Sequence, residues 1–116
     1  MERVIGIGGV FFKAEDANKL RRWYQDSLGI DVDPSYGGAM FDQTAWSVFP
    51  STTHYFDPST KPYMINYRVR NLDAMLEQLR RAGATVDPKI DDTDYGRFGW
   101  VMDPEGNRIE LWEPKP

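Results

Sequence analysis

The sequence predicts an α+β fold built as two tandem βαβββ modules in a single domain. Three observations predict it. The order strand, helix, strand, strand, strand can be read twice along the 116 residues. Corresponding points of the two readings match: Leu28-Gly-Ile-Asp-Val-Asp-Pro34 lies on Ala82-Gly-Ala-Thr-Val-Asp-Pro88, and Asp16 lies on Asn71. Between them runs a polar stretch holding Pro50, Pro58 and Pro62. Module one is then about residues 1–50, the linker about 51–62 and module two about 63–116.

Val4 to Phe12 is rich in Val, Ile and Phe and predicts the first strand. The period then changes. Ala17, Leu20, Trp23, Tyr24, Ser27 and Leu28 fall on one helical face, with Asp16 placed to cap the start and Gly29 the end. Ile30 to Val32, Gly38 to Phe41 and Thr44 to Phe49 read as short strands, divided by Asp33-Pro34 and Gly37-Gly38. After the linker, Tyr63 to Arg70 alternates as a strand. Leu72, Met75, Leu76 and Leu79 then make the apolar stripe of a helix capped by Asn71. Asp73 near its start and Arg80 and Arg81 near its end suit the helix dipole. Ala84 to Val86, Phe98 to Met102 and Arg108 to Glu113 complete the second set of strands. Asp91 to Asp94 reads as a solvated acidic loop, because it lacks the spaced ligands of a calcium loop. Gly96, Gly99 and Gly106 lack the strand–turn–helix setting of a dinucleotide fingerprint.

Composition narrows the function. Fourteen Lys and Arg stand against eighteen Asp and Glu, so no global positive field would steer a nucleic acid to the chain. There is no cysteine, which excludes thiolate catalysis, Cys-ligated zinc and disulfides. The one histidine, His54, excludes multi-histidine metal sites. The apolar run near the start is too brief for a membrane span and lacks a cleavage pattern, so a cytoplasmic protein is expected, with no membrane partner.

Two blocks carry a resemblance. One is Glu15-Asp16 before a helix with Trp23-Tyr24 and Leu28-Gly29. The other is Tyr95-Gly-Arg-Phe-Gly-Trp100 running into Asp103-Pro-Glu-Gly-Asn-Arg-Ile-Glu-Leu-Trp112. With these the sequence resembles the vicinal oxygen chelate superfamily, which includes glyoxalase I, bleomycin resistance proteins and extradiol dioxygenases. The resemblance implies that each module curls a mixed sheet around half of a cavity, and that two chains pair as a homodimer.

It also implies where a metal would sit. Metal-using members take ligands from the first and last strands of each module. The repeat puts Gly9 and Met64 at the first-strand positions, and Trp46 and Glu110 at the last-strand positions. Glycine has no donor, indole offers only an N–H, and a thioether is a poor ligand for hard cations. One carboxylate remains where a divalent ion needs three or more protein donors. No metal and no cofactor are therefore expected.

Glu110 has two readings. It is a hydrogen-bonded side chain inherited from the family, or it lines the cavity to bind a cationic group or serve as the catalytic base. Strand alternation puts Arg108 and Trp112 on its face, Phe11 beside Gly9, Asn66 and Arg68 beside Met64, and Val48 beside Trp46. His54 is a solvated loop residue, or reaches a ligand if its loop crosses the cavity mouth. The expected ligand-binding set is Phe11, Trp46, His54, Met64, Asn66, Arg68 and Trp112, an apolar lining with few polar groups. The leading expectation is a metal-free binding protein of bleomycin-resistance type, holding an aromatic or cationic small molecule between modules. The alternative is a glyoxalase-type lyase, isomerase or dioxygenase with a divalent metal. Whether the chain is an enzyme stays open.

Overall fold

The computed structural model describes residues 1–116. The chain forms β1 (Val4–Ala14), α1 (Ala17–Leu28), β2 (Gly38–Phe41), β3 (Thr44–Pro50), β4 (Tyr63–Val69), α2 (Leu72–Arg81), β5 (Thr85–Val86), β6 (Asp91–Thr93), β7 (Gly96–Met102) and β8 (Arg108–Pro114). The expected caps form. Asp16 accepts from the Lys19 amide at 3.0 Å, Gly29 closes α1 in the left-handed region at φ 69°, and Asn71 accepts from the Ala74 amide at 3.0 Å.

All eight strands join one mixed sheet, ordered β2-β3-β1-β4-β8-β7-β5, with β6 added to β7. The antiparallel pair β1–β4 lies at the centre. Each member has a parallel neighbour outside it, β3 beside β1 and β8 beside β4, and an antiparallel strand beyond that. The two wings thus leave the centre in the same order. Where β5 ends one wing, the other has a single bridge between Asp33 and Gly38.

Two expected elements differ. Ile30 to Val32 is not a strand. It leads into a turn held by Asp33, whose carboxylate takes the Ser35 amide at 2.9 Å and the Ser35 hydroxyl at 2.7 Å. Asp91–Thr93, expected as a solvated loop, is a short strand on β7, closed by the Thr93 hydroxyl on the Gly96 carbonyl at 3.0 Å. Local charge suggested solvent there, whereas an available sheet edge supplied backbone partners.

Both helices pack on one face of the sheet. Leu72, Met75 and Leu76 of α2 close a core over Val69, Val101 and Leu111, and Tyr24 of α1 meets Phe12 and Trp46. The opposite, helix-free face has its own core of Phe11, Met64, Trp100 and Phe56. Phe56 comes from the stretch expected as a linker and is 0% exposed. That stretch is anchored at both ends, by Ser51 N–H to the Ala14 carbonyl (2.8 Å) and Lys13 N–H to the Pro62 carbonyl (2.7 Å). It crosses the helix-free face and covers its middle.

Candidate functional site

Register sets the side chains of the helix-free face in rows across the sheet. One row runs Gly9, Asn66, Glu110, Trp100, and the next runs Gly6, Arg68, Trp112, Phe98. The first row lies under the crossing segment and the second lies beyond it.

Glu110 is the hub of the covered row and is 2% exposed. One carboxylate oxygen accepts the Asn66 amide N–H at 2.7 Å. The other accepts the Trp100 indole N–H at 2.9 Å and the Tyr55 hydroxyl. Burial pushes the Glu110 carboxyl above its usual range, opposed by the bonds from Tyr55, Asn66 and Trp100 and by the charge of Arg108. Burial, then the Glu110 charge, pushes the Tyr55 hydroxyl up. Tyr55 stacks on Phe49 with centroids 5.5 Å apart, and Arg108 holds the Tyr55 carbonyl at 2.7 Å. Arg108 also stands 4.9 Å over the Trp100 ring. Glu110 therefore pins the crossing segment to the sheet.

The metal enzymes of the superfamily that the sequence resembles raise the question whether these residues fit a divalent ion. They do not. The groups facing the Glu110 oxygens are N–H and O–H donors, and the surrounding core is Phe11, Met64 and Phe56. Nowhere do three or more His, Asp or Glu side chains gather as a possible cation site.

Among the expected ligand-binding residues, Phe11, Met64 and Asn66 lie beneath the crossing segment with Glu110, and Arg68 and Trp112 lie in the open row. Trp46 is on the other face, packed on Tyr24 and Phe12 at ring distances of 5.1 and 5.8 Å. The register gives the reason. Asn66 pairs with Glu110 as Phe11 pairs with Ser47, so the first-wing counterpart of Glu110 is the buried Ser47. Matching Trp46 to Glu110 slips the comparison by one residue, and one residue reverses the face. His54 is also apart from the site. Its side chain is 92% exposed and bonded to Asp57 at 2.9 Å.

Tyr55, Phe56, Trp100 and Phe98 belong to the site and were absent from the expected set. The signal for the first two was an aromatic pair in a polar stretch. For the others it was their antiparallel register with Glu110 and Trp112.

The open row is aromatic and cationic. Phe98 and Trp112 lie nearly parallel, at 3° with centroids 5.8 Å apart, and the Trp112 N–H is held by the Tyr95 carbonyl at 2.9 Å. Arg68 lies half-buried beside Trp112 and bonds the Gln43 side-chain oxygen. It lies across Gly6, where any Cβ would strike the guanidinium. A Cβ on Gly8 would likewise strike Asn66, Arg68 and Trp112.

The model of the glyoxalase-like domain family matches residues 9–112. No curated protein matches the chain. Among solved structures, methylmalonyl-CoA epimerase from Mycobacterium tuberculosis is similar at 21% identity and TM-score 0.71, covering 97% of this chain and 90% of that one. A glyoxalase/bleomycin resistance protein/dioxygenase superfamily member from Vibrio splendidus 12B01 is similar at 14% identity and TM-score 0.65, covering 96% and 97%. The Mn(II)-bound glyoxalase from Novosphingobium aromaticivorans is similar at 19% identity and TM-score 0.66, covering 97% of this chain and 40% of that one.

Proposed function

The chain belongs to the glyoxalase-like domain family, and on that premise we propose that it is a metal-independent binding protein for a small aromatic molecule. The supporting observation is the row Phe98, Trp112, Arg68, left open beside a Glu110 carboxylate whose oxygens are already engaged. Half-buried aromatic faces next to a few polar groups are the usual make-up of a small-molecule site. The cationic ligand drawn from Glu110 loses its motive, because Glu110 is covered and serves the protein's own donors. The aromatic ligand keeps its motive, with its place moved to the outer row.

A metal-dependent lyase, isomerase or dioxygenase is the competing reading, favoured by the activities that the similar structures are named for. It needs a donor set around Glu110 that the N–H and O–H groups there oppose.

Calorimetric titration with 2-naphthamide tests the proposal. Binding is expected, with affinity falling about tenfold in Trp112→Leu, the equivalent of about 1.4 kcal/mol. Prior treatment with a chelator should leave it unchanged. Stabilisation by several degrees on adding manganese, nickel or zinc at low concentration would replace this reading with the enzymatic one.

A homodimer is part of the same proposal. Edge strand β2 and the end of α1 line an exposed groove of about 760 Å³ that includes Leu28, Ile30, Val32, Tyr36, Met40 and Phe41. Exposed apolar side chains on an edge strand, here beside Asp31 and Asp33, suit a second copy of the chain.

A further inference from the structure

The charge of the ligand can be read from Arg68. This step rests on the aromatic-ligand reading above. Arg68 stands on β4 in register with Trp112, one strand away, which is about 4.8 Å in a sheet. It makes none of the protein's ion pairs, although the chain carries an excess of carboxylates. Its partners are neutral: the exposed Gln43 side chain, and the Ile7 carbonyl at the long distance of 3.5 Å.

Of the other eight arginines, Arg3, Arg21, Arg22 and Arg70 also make no ion pair, and what sets Arg68 apart from them is the Trp112 ring in register beside it; the remaining four are paired. Arg80 and Arg81 reach Glu77, Arg97 reaches Asp73 and Arg108 reaches Asp87. A guanidinium is a planar fork matched to carboxylate and phosphate. Half-buried with neutral partners only, it has lost part of its hydration without gaining a counter-charge.

The fold also makes room for it. Gly6 is the β1 partner of Arg68, and the guanidinium lies where a Cβ would stand. Gly8 leaves the same space beside the Arg68 stem and the Trp112 ring. The alternating glycines of Ile5-Gly-Ile-Gly-Gly9 thus keep cation and indole together on the helix-free face.

We infer that the open row is a site for a planar aromatic anion, with the ring against Trp112 and Phe98 and its carboxylate taken by Arg68 in place of Gln43. Glu110 does not compete for Arg68, because its oxygens hold Asn66, Trp100 and Tyr55.

The test compares naphthalene-2-carboxylate with its neutral amide, 2-naphthamide, by calorimetry at neutral pH. The expected result is at least tenfold tighter binding of the carboxylate, with the preference shrinking between low and high salt. Arg68→Gln should bring the carboxylate down to the amide's affinity, and Arg68→Lys should retain part of the preference. Trp112→Leu should weaken both probes. Equal binding of the two probes by the wild-type protein overturns the anion assignment while leaving the aromatic-ligand reading standing. Binding of neither probe removes both. The wild-type ratio and its salt dependence decide the question even if Arg68→Gln does not fold.

Discussion

Glu110 shows how one side chain organises the helix-free face. Three donors converge on its carboxylate, so deleting it leaves Asn66 and Trp100 under the crossing segment, and the segment's own Tyr55, without their acceptor. Each such group costs roughly 1–3 kcal/mol when left buried and unpaired, and some of them will turn toward water. Glu110→Ala should therefore lose about 3 kcal/mol or more in urea denaturation. Glu110→Gln should lose much less, because Asn66 has a buried oxygen with no partner that a turned amide can offer to the new N–H. The two variants also separate charge from hydrogen bonding. Burial raises the Glu110 carboxyl, so the folded state holds that proton more tightly than the unfolded state does. Its contribution to stability is complete below the usual glutamate value and is lost as pH rises through the folded value. The melting temperature of the wild type minus that of Glu110→Gln should accordingly fall from acid to neutral pH. A flat difference would show that burial does not disfavour the ionised form. At Gly8 the argument is steric. The new methyl of Gly8→Ala must displace Asn66, Arg68 and Trp112 together, so a loss of about 1–3 kcal/mol is expected on thermal unfolding.

At the scale of elements, the crossing segment does the work of a missing layer. The helix-bearing face has α2 to cover it, and the other face has Phe56 and Tyr55. Phe56 touches the Phe11, Met64 and Trp100 core without any solvent contact of its own, so Phe56→Ala should cost about 3–5 kcal/mol. Limited proteolysis should then cut within residues 51–62 faster than global unfolding allows, since the segment would open while the sheet stays paired. Equal protection in the variant and the wild type would mean that its anchors at Ala14 and Pro62 suffice. The helices and most strands were legible in the residues because apolar period, cap and turn chemistry agree there, as at Asp16 with Gly29 and at Asn71. The segment was not. Its prolines and polar residues are those of a connection, and only two aromatic residues hint at burial.

Across the whole molecule, one sheet carries two unlike faces, and its β2 end pairs with no further strand beyond the single Asp33–Gly38 bridge. Exposed Met40 and Phe41 at that end lead to an expected outcome for assembly. Sedimentation should find a dimer of the wild-type chain, and Met40→Asp should shift it to monomer without lowering the melting temperature of the protomer. A wild-type monomer at high protein concentration would remove that edge as an interface. No helix is long and apolar enough to cross a membrane.

The residues by themselves determined the α+β class, the repeated strand–helix order, both helix starts and the poverty of metal donors, because each follows from local pattern or side-chain chemistry. They also put Trp112 on the face of Glu110 and Arg68 on the face of Asn66, since alternation along a strand is local. Tertiary structure decided what those residues meet. The register between β1 and β3 sent Trp46 to the helices and put Ser47 in its stead. The path of residues 51–62 turned Glu110 from an open carboxylate into a covered acceptor, and β1 glycines left Arg68 and Trp112 side by side in the open. Pairing partners and loop paths join residues far apart in the chain, so no local pattern encodes them, and the character of the site depends on them.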